Sequence, residues 1–143
     1  MKNELTINLN HLERACQKQP QLLQKWGSNK AELTKKRKNK ENELKIKKAE
    51  KCREIRRNPR AFGLDKVTEK ALDDICLLDL TIQKIIRDLH ELEYEEDMSD
   101  IMVKSLQDRR TQLENLVKLH GQMYWSKPNV NKPMSTVERR KNE

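Results

Sequence analysis

The chain has 143 residues, of which 34% are hydrophobic, 3% aromatic and 38% charged, and its formal net charge is +8. This length and balance fit one modest domain or an elongated coiled coil and disfavour a large enzyme core, while the surplus of cations favours a polyanionic partner. Three glycines in the whole chain leave no room for a glycine-rich phosphate loop, a nucleophile elbow or a dinucleotide fingerprint, which excludes the common nucleotide-binding classes.

The first segment, residues 1–29, is predicted to be a short helical region. Leu12 and Cys16 favour a short amphipathic helix that ends near Pro20, after which a second helix starts. A Gly-Ser-Asn triplet at 27–29 is expected to kink or break that helix.

A long basic helix is predicted for residues 30–58. Residues 30–60 contain 14 basic and 5 acidic side chains, with few apolar ones among strong helix formers. The helix is expected to stop at Asn58-Pro59, because proline disfavours helical geometry in the residue before it and Gly63 permits a turn.

The cations of this helix form the strongest functional candidate, because phosphate binding needs only closely spaced positive charges. The alternative is a solvated face whose cations pair with the acidic half of the chain. At the end of the helix, cations 51, 53, 56 and 57 are expected to lack the i to i+4 carboxylate partners of earlier lysines. The candidate nucleic-acid-binding residues are Lys35, Lys36, Arg37, Lys38, Lys48, Lys51, Arg53, Arg56, Arg57 and Arg60.

The positions of the aromatic residues decide whether nucleic-acid binding is expected to involve base stacking or the sugar-phosphate backbone. None interleaves with the basic run, so binding is expected to involve mainly the sugar-phosphate backbone and to be indifferent to sequence. Trp26 and Phe62 flank the basic helix and could each stack a base, but a hydrophobic lid is the favoured interpretation, since the chain has few large apolar groups to bury.

The acidic segment that follows, residues 64–125, is predicted to form an antiparallel helical hairpin. Its first helix, with Asp65 as N-cap, carries a heptad seam that starts at Ala71. Because one chain has too few apolar side chains to cover both faces of this seam, we expect a homo-oligomer. The predicted oligomerisation seam contains Ile75, Leu78, Ile82, Ile85, Leu89 and Leu92.

The second helix of the predicted hairpin begins after an acidic turn at 94–98, with Ser99 as N-cap. Its seam runs through Met102, Leu106, Arg109, Leu113, Leu116, His120 and Met123. Arg109 is interpreted as a buried polar layer that fixes register, in preference to a second phosphate contact. The polar, proline-containing segment 126–143 is predicted to be a disordered tail.

Cysteine and histidine positions predict neither disulfides nor metal sites. Cys16, Cys52 and Cys76 are odd in number and scattered, which favours reduced thiols and a cytoplasmic location. The histidines stand apart from other ligand residues, so no metal or other cofactor is predicted. The sequence has no apolar run of about 18 residues and no secretion signal, so no membrane association is expected.

Four stretches carry a resemblance to a known family. They are Gln24-Lys25-Trp26 before the Lys-rich helix, Arg53-Glu54-Ile55-Arg56-Arg57 before the break, Thr68-Glu69-Lys70-Ala71-Leu72, and Lys104-Ser105-Leu106-Gln107-Asp108-Arg109-Arg110. In their order and pattern, residues 5–122 resemble the phage recombination mediators typified by UvsY. The resemblance implies an oligomeric, non-catalytic single-strand binder that helps a recombinase replace a single-strand-binding protein. It further implies DNA contact at Lys51, Arg53, Arg56 and Arg57.

Together these features predict an all-α protein: an elongated helical hairpin or coiled-coil bundle with a long basic N-terminal helix. The leading functional prediction is a non-enzymatic recombination mediator that binds single-stranded DNA, with a recombinase and a single-strand-binding protein as further partners. The alternative is a structural coiled-coil adaptor or virion scaffold protein that does not bind nucleic acid. An enzyme is not expected, because no constellation of titratable residues suited to catalysis is visible.

Overall fold

A computed structural model of the chain describes residues 2–122, and these residues form helices and turns without any strand. The all-α hairpin predicted from the sequence is confirmed. Short 3₁₀ turns lie at Leu9–His11 and Pro59–Phe62. The α-helices are α1 (Lys2–Leu5), α2 (Leu12–Arg57), α3 (Glu69–Leu78) and α4 (Leu80–Gly121).

The hairpin is formed by α2 and α4, which contain 46 and 42 residues and are about 69 Å and 63 Å long at 1.5 Å per residue. The side chain of Gln19 reaches the backbone of Leu106, and Lys51 reaches Asp79. The N-terminal part of α2 therefore lies beside the C-terminal part of α4, and the two helices are antiparallel.

The core lies in the seam between these two helices. On α2 the buried apolar residues include Ala15, Leu33 and Ile55. Buried residues on α4 recur at spacings of three or four, and the half-buried Leu92 and Glu96 continue this spacing between Leu89 and Ser99, so one stripe of the helix faces α2. The buried members of this stripe are Ile82, Ile85, Leu89, Ser99, Met102, Leu106, Arg109 and Leu113.

The predicted turn at 94–98 is wrong, because α4 continues through it. The second predicted seam as far as Leu113 and the part of the first seam from Ile82 onward therefore lie on one helix and face α2, whereas Ala71, Ile75 and Leu78 lie on α3. No glycine or proline occurs between Gly63 and Gly121, so nothing in the backbone chemistry forces a reversal there. Ser99, predicted as an N-cap, is instead buried in the middle of α4.

The predicted division between segments 1–29 and 30–58 is also wrong, because α2 runs without interruption through Pro20 and the triplet at 27–29. Near the triplet, Ser99 Oγ donates to the Trp26 carbonyl oxygen at 3.4 Å and accepts from Asn29 Nδ2 at 3.2 Å. Packing against α4 along most of α2 outweighs the weak helix propensity of glycine and proline.

The predicted end of the basic helix is confirmed. The Asn58 amide donates to the Glu54 carbonyl oxygen at 3.3 Å, and Gly63 adopts a left-handed φ of 71° after the Pro59–Phe62 turn. Thr68, and not Asp65 as predicted, caps α3: its Oγ1 accepts from the Ala71 amide at 3.2 Å.

Asp79 separates α3 from α4 and caps the second of them. Its Oδ1 accepts from the amides of Thr81 and Ile82, at 2.9 and 3.1 Å. This cap satisfies amides that a helix N-terminus otherwise leaves without partners. The sequence analysis placed these residues within one helix, whereas the structure has a bend.

The predicted oligomerisation seam requires a correction. Ile82, Ile85 and Leu89 are buried in the face that α4 presents to α2, so a second copy is not needed to cover them. Ile75 and Leu92 are half-buried, and Leu78 is 74% exposed beside the bend. The sequence analysis assigned the hairpin to 64–125 and therefore overlooked α2 as the partner of this seam.

The predicted disordered tail, 126–143, lies outside the described residues, as do Met123, Tyr124 and Trp125. Within residues 2–122, no helix combines the length and the apolarity that a membrane crossing requires.

Candidate nucleic-acid interface

One group of α2 cations is engaged within the hairpin. Each of its members reaches a carboxylate on α4 or at the cap of α4, and these contacts connect the two helices between residues 30 and 51 of α2. The pairs are Lys30 with Asp100, Arg37 with Glu96, Lys40 with Asp88 at 3.5 Å and Lys51 with Asp79 at 3.4 Å.

Hydrogen bonding lowers the pKa of the Glu96 and Asp79 carboxyl groups. The Thr34 hydroxyl donates to Glu96 Oε1 at 2.6 Å, and this bond together with the Arg37 guanidinium lowers the pKa of Glu96. The Ile82 amide, followed by Lys51, lowers the pKa of Asp79. Arg37 and Lys51, both predicted to contact nucleic acid, therefore have much of their charge neutralised inside the protein.

A second group of cations lies on the opposite side of α2. An α-helix turns by about 100° per residue. In a view down the axis of α2, the members of this group fall within one sector of about 120°, on the side opposite to the buried residues Leu33 and Ile55. We call this group the outer strip, and all its members are exposed. It consists of Lys35, Lys38, Lys45, Arg53, Arg56 and Arg57.

No acidic side chain of α2 between residues 30 and 57 falls in the sector of the outer strip. The same helical geometry places Glu41 on one side of the strip and Glu32, Glu43, Glu50 and Glu54 on the other. Lys35 and Arg57 are separated by 22 residues, so the strip extends for about 33 Å along the helix. An exposed row of cations of this kind is typical of surfaces that bind polyanions.

Pairing within the outer strip is sparse. Of its six members, only Arg56 forms an ion pair within residues 2–122, with Glu69 at 3.3 Å, and both side chains are exposed. Arg56 has no carboxylate partner on α2, as expected, because Glu69 lies on α3. Lys51 does have one, since it pairs with Glu54 at i+3 as well as with Asp79 at the cap of α4. An exposed pair such as that of Arg56 with Glu69 contributes at most about 1 kcal/mol, so Arg56 can exchange its partner.

The other predicted cations are exposed but lie outside the outer strip. Lys36 is on one flank of the strip, Lys48 lies toward the seam at the same angle around the helix as Lys30, and Arg60 lies in the 3₁₀ turn after α2. None of the three forms an ion pair within the part of the chain that the structure describes.

A groove of about 400 Å³ lies at the C-terminal end of the outer strip, and Arg53, Arg57 and Phe62 are among its lining residues. Glu50 and Glu54 also contribute to its wall. Lys51 Nζ lies 5.0 Å from the centroid of the half-buried Phe62 ring. The groove therefore combines two guanidinium groups with an aromatic ring, a set of groups that can bind phosphate and stack a planar base.

Trp26, the other aromatic candidate, has internal partners. Its Nε1 donates to Glu4 Oε2 at 2.8 Å, and Lys25 Nζ lies 5.3 Å from the ring centroid. This arrangement agrees with the favoured interpretation of Trp26 as a packing residue.

Arg109 does not belong to the interface. It is 5% exposed, and its Nη1 donates to Gln19 Oε1, while Gln19 Nε2 donates to the Leu106 carbonyl oxygen at 2.6 Å. The interpretation of Arg109 as a buried polar layer is confirmed. Its partner was missed because Gln19 was assigned to a separate short helix.

Comparison with known protein families, with curated proteins and with solved structures finds no match to this chain. Within residues 2–122, no group of three or more His, Cys, Asp or Glu side chains could hold a metal ion. The fold and the charge distribution define the chain as an all-α helical hairpin with one strongly basic outer face.

Proposed function

We propose that this chain is a non-enzymatic single-stranded DNA-binding protein that acts as a recombination mediator and helps to load a recombinase. One observation carries the proposal: the outer strip of α2 is a row of exposed cations without a carboxylate among them. Cations that hold the hairpin together lie on the other side of the helix, so the strip can bind phosphates while the fold stays intact.

Single-stranded nucleic acid is the preferred polyanion because of the groove at the end of the strip. Stacking on Phe62 requires an unpaired base whose face is accessible, which a single strand offers and a duplex does not. Contacts along the rest of the strip involve the backbone, so affinity is expected to be similar for different sequences. The resemblance to phage recombination mediators supports a function as an oligomer that acts together with a recombinase and a single-strand-binding protein.

Fluorescence anisotropy with single-stranded DNA, duplex DNA and RNA of equal length tests the proposal. Each phosphate neutralised on a single strand contributes about −0.7 to the slope of log K against log salt, so about five contacts give a slope of −3 to −4. The single-stranded DNA should bind most tightly. An absence of binding at low salt, or an affinity that does not change with salt, contradicts the proposal.

Arg53→Ala combined with Arg57→Ala tests the location of the site. The double variant should weaken single-strand binding and reduce the magnitude of the salt slope by about 1.4, or about 0.7 for each lost contact. Lys84→Ala combined with Arg87→Ala is the matched control, since both residues are exposed on α4 and the change in net charge is the same. An equal loss of affinity in the control would mean that net charge, not the outer strip, governs binding.

A structural adaptor or scaffold remains the second candidate, because α4 exposes an acidic surface. Glu91, Glu93, Glu95 and Asp97 are exposed on it and could pair with the outer strip of a neighbouring copy. Light scattering without DNA distinguishes the two functions: an adaptor forms assemblies that dissociate at high salt and shows no affinity for DNA.

A further inference from the structure

Two cysteines that are 24 residues apart in the sequence meet where α3 packs against α2. The Sγ atoms of Cys52 and Cys76 lie 3.9 Å apart. Cys76 is buried and Cys52 is half-buried, while the third cysteine, Cys16, is exposed. Cys16 precedes Cys52 by 36 residues on α2, a distance of about 54 Å along the helix axis.

We propose that Cys52 and Cys76 are a redox-active thiol pair that forms a reversible disulfide and thereby ties α3 to α2. A disulfide requires the two sulfur atoms to be about 2.05 Å apart. From their present separation they need to approach by about 2 Å, a movement that rotation about the side-chain torsions of two facing cysteines can supply. The proposal is independent of the proposed DNA-binding function.

The different exposure of the two thiols sets the order of the reaction. Burial, followed by the neighbouring Cys52 thiol, raises the pKa of Cys76 to about 11, so Cys76 stays protonated and is a poor first nucleophile. Cys52 is the more accessible of the two and meets a dissolved oxidant first. Lys48 lies one helical turn before Cys52 and is exposed, so it adds positive charge on the approach side.

A low-molecular-weight disulfide such as oxidised glutathione supplies the oxidising equivalents. The Cys52 thiolate attacks one of its sulfur atoms, forms a mixed disulfide and displaces one thiolate. Cys76 then loses its proton to the solvent and attacks Cys52 Sγ, which displaces the second thiolate. In total, two protein thiols are oxidised to one disulfide, and the small disulfide is reduced to two thiols.

The bond would add a covalent link between α2 and the short helix α3. Only Leu72 and Cys76 are buried among the ten residues of α3, and the bend at Asp79 separates this helix from α4. Closing a loop of about 25 residues restricts the unfolded chain. The same loop contains Phe62 and both ends of the 3₁₀ turn that follows α2.

The test oxidises the full-length chain with glutathione buffers of increasing redox potential and maps its peptides without reduction. We expect the intact mass to fall by two hydrogen atoms and one cross-linked peptide pair to contain Cys52 and Cys76. The melting temperature should rise on the order of 10 °C, as expected for a loop of this size, and reduction with dithiothreitol should reverse both changes.

Variants separate this pair from the third thiol. Cys16→Ser should retain the cross-link and the rise in melting temperature, whereas Cys52→Ser should lose both. The wild-type peptide map itself decides the outcome if a variant does not fold. Glutathione that remains attached to Cys52 beside a free Cys76, or a cross-link that includes Cys16, would overturn the proposal.

Discussion

The buried layer formed by Gln19 and Arg109 gives the sharpest test of how the hairpin is held in register. Arg109 brings a positive charge into the seam, yet its only hydrogen-bond partner among the described residues is the neutral Gln19 side chain, and its Nε has none. A buried charge with so few compensating contacts costs stability. We therefore expect the loss of Gln19 alone to lower stability much more than the loss of Arg109 alone, and the replacement of both to raise it.

The expected change in the free energy of unfolding depends on which buried polar groups each substitution leaves without a partner. Gln19→Met removes the acceptor of the charged donor and should lower the free energy of unfolding by about 2 to 4 kcal/mol, the loss expected when a buried charge is left without a partner. Arg109→Met removes the charge but retains a long apolar side chain, so its cost should stay below about 1 kcal/mol. The double variant should exceed the wild type by roughly 1 to 3 kcal/mol.

Urea denaturation followed by circular dichroism measures all three free energies of unfolding. Arg110→Met is the matched control, because Arg110 is the adjacent residue, is exposed and pairs only with Glu114 at 3.0 Å, so a change within about 0.5 kcal/mol is expected. The reasoning is refuted if Arg109→Met costs more than Gln19→Met, or if the two substitutions are additive in the double variant.

Two further predictions concern backbone conformation and pH. Gly63→Ala should lower the free energy of unfolding by about 1 kcal/mol, because Gly63 has a φ of 71° that a residue with a Cβ adopts at a cost. Gly27→Ala should instead raise it by up to about 1 kcal/mol, since Gly27 is helical and nothing lies within 4 Å of the added Cβ; equal signs in urea denaturation would contradict this pair. Acidification should destabilise the hairpin as the pH falls through about 4 and below, because the lowered pKa of Glu96 and of Asp79 means that the unfolded chain binds more protons there. Glu96→Gln should reduce this pH dependence in denaturation experiments, and a wild type that becomes more stable on acidification would contradict the assignment.

Features that depend on local chemistry were predictable from the sequence. The end of the basic helix at Asn58-Pro59 follows from the restriction that proline places on its neighbour. The buried stripe through Ile82 and Leu106 follows from heptad spacing, which identifies the residues of a core-facing stripe whatever lies opposite them.

The pairing of α2 with α4 was not predictable in the same way, because polar residues at three positions interrupt the apolar pattern of α4. Glu96, Ser99 and Arg109 interrupt the apolar stripe of α4, and the first two were therefore assigned to a turn and to a cap. Each has its partner on α2, in a segment that was itself assigned to separate elements. The absence of glycine and proline between residues 80 and 120 was the signal against a turn at 94–98.

The contact between Cys52 and Cys76 was hidden for a related reason. Their spacing in the sequence matches no metal or disulfide motif, and only the return of the chain through the Pro59–Phe62 turn brings α3 back to α2. Contacts of this kind depend on the length and direction of a connection, which composition and periodicity do not specify.

The cations of α2 have two different roles, and a count of basic residues does not distinguish them. Cations beside the seam, such as Lys40, face carboxylates of α4 and help to fix the antiparallel register. Cations on the outer face, such as Lys35 and Arg53, have no such partners and retain their charge toward the solvent. A substitution at Lys40 should therefore act first on the stability of the hairpin, whereas one at Lys35 should act on polyanion binding and leave the fold unchanged. This division explains how one helix can hold the protein together and still present a positive surface.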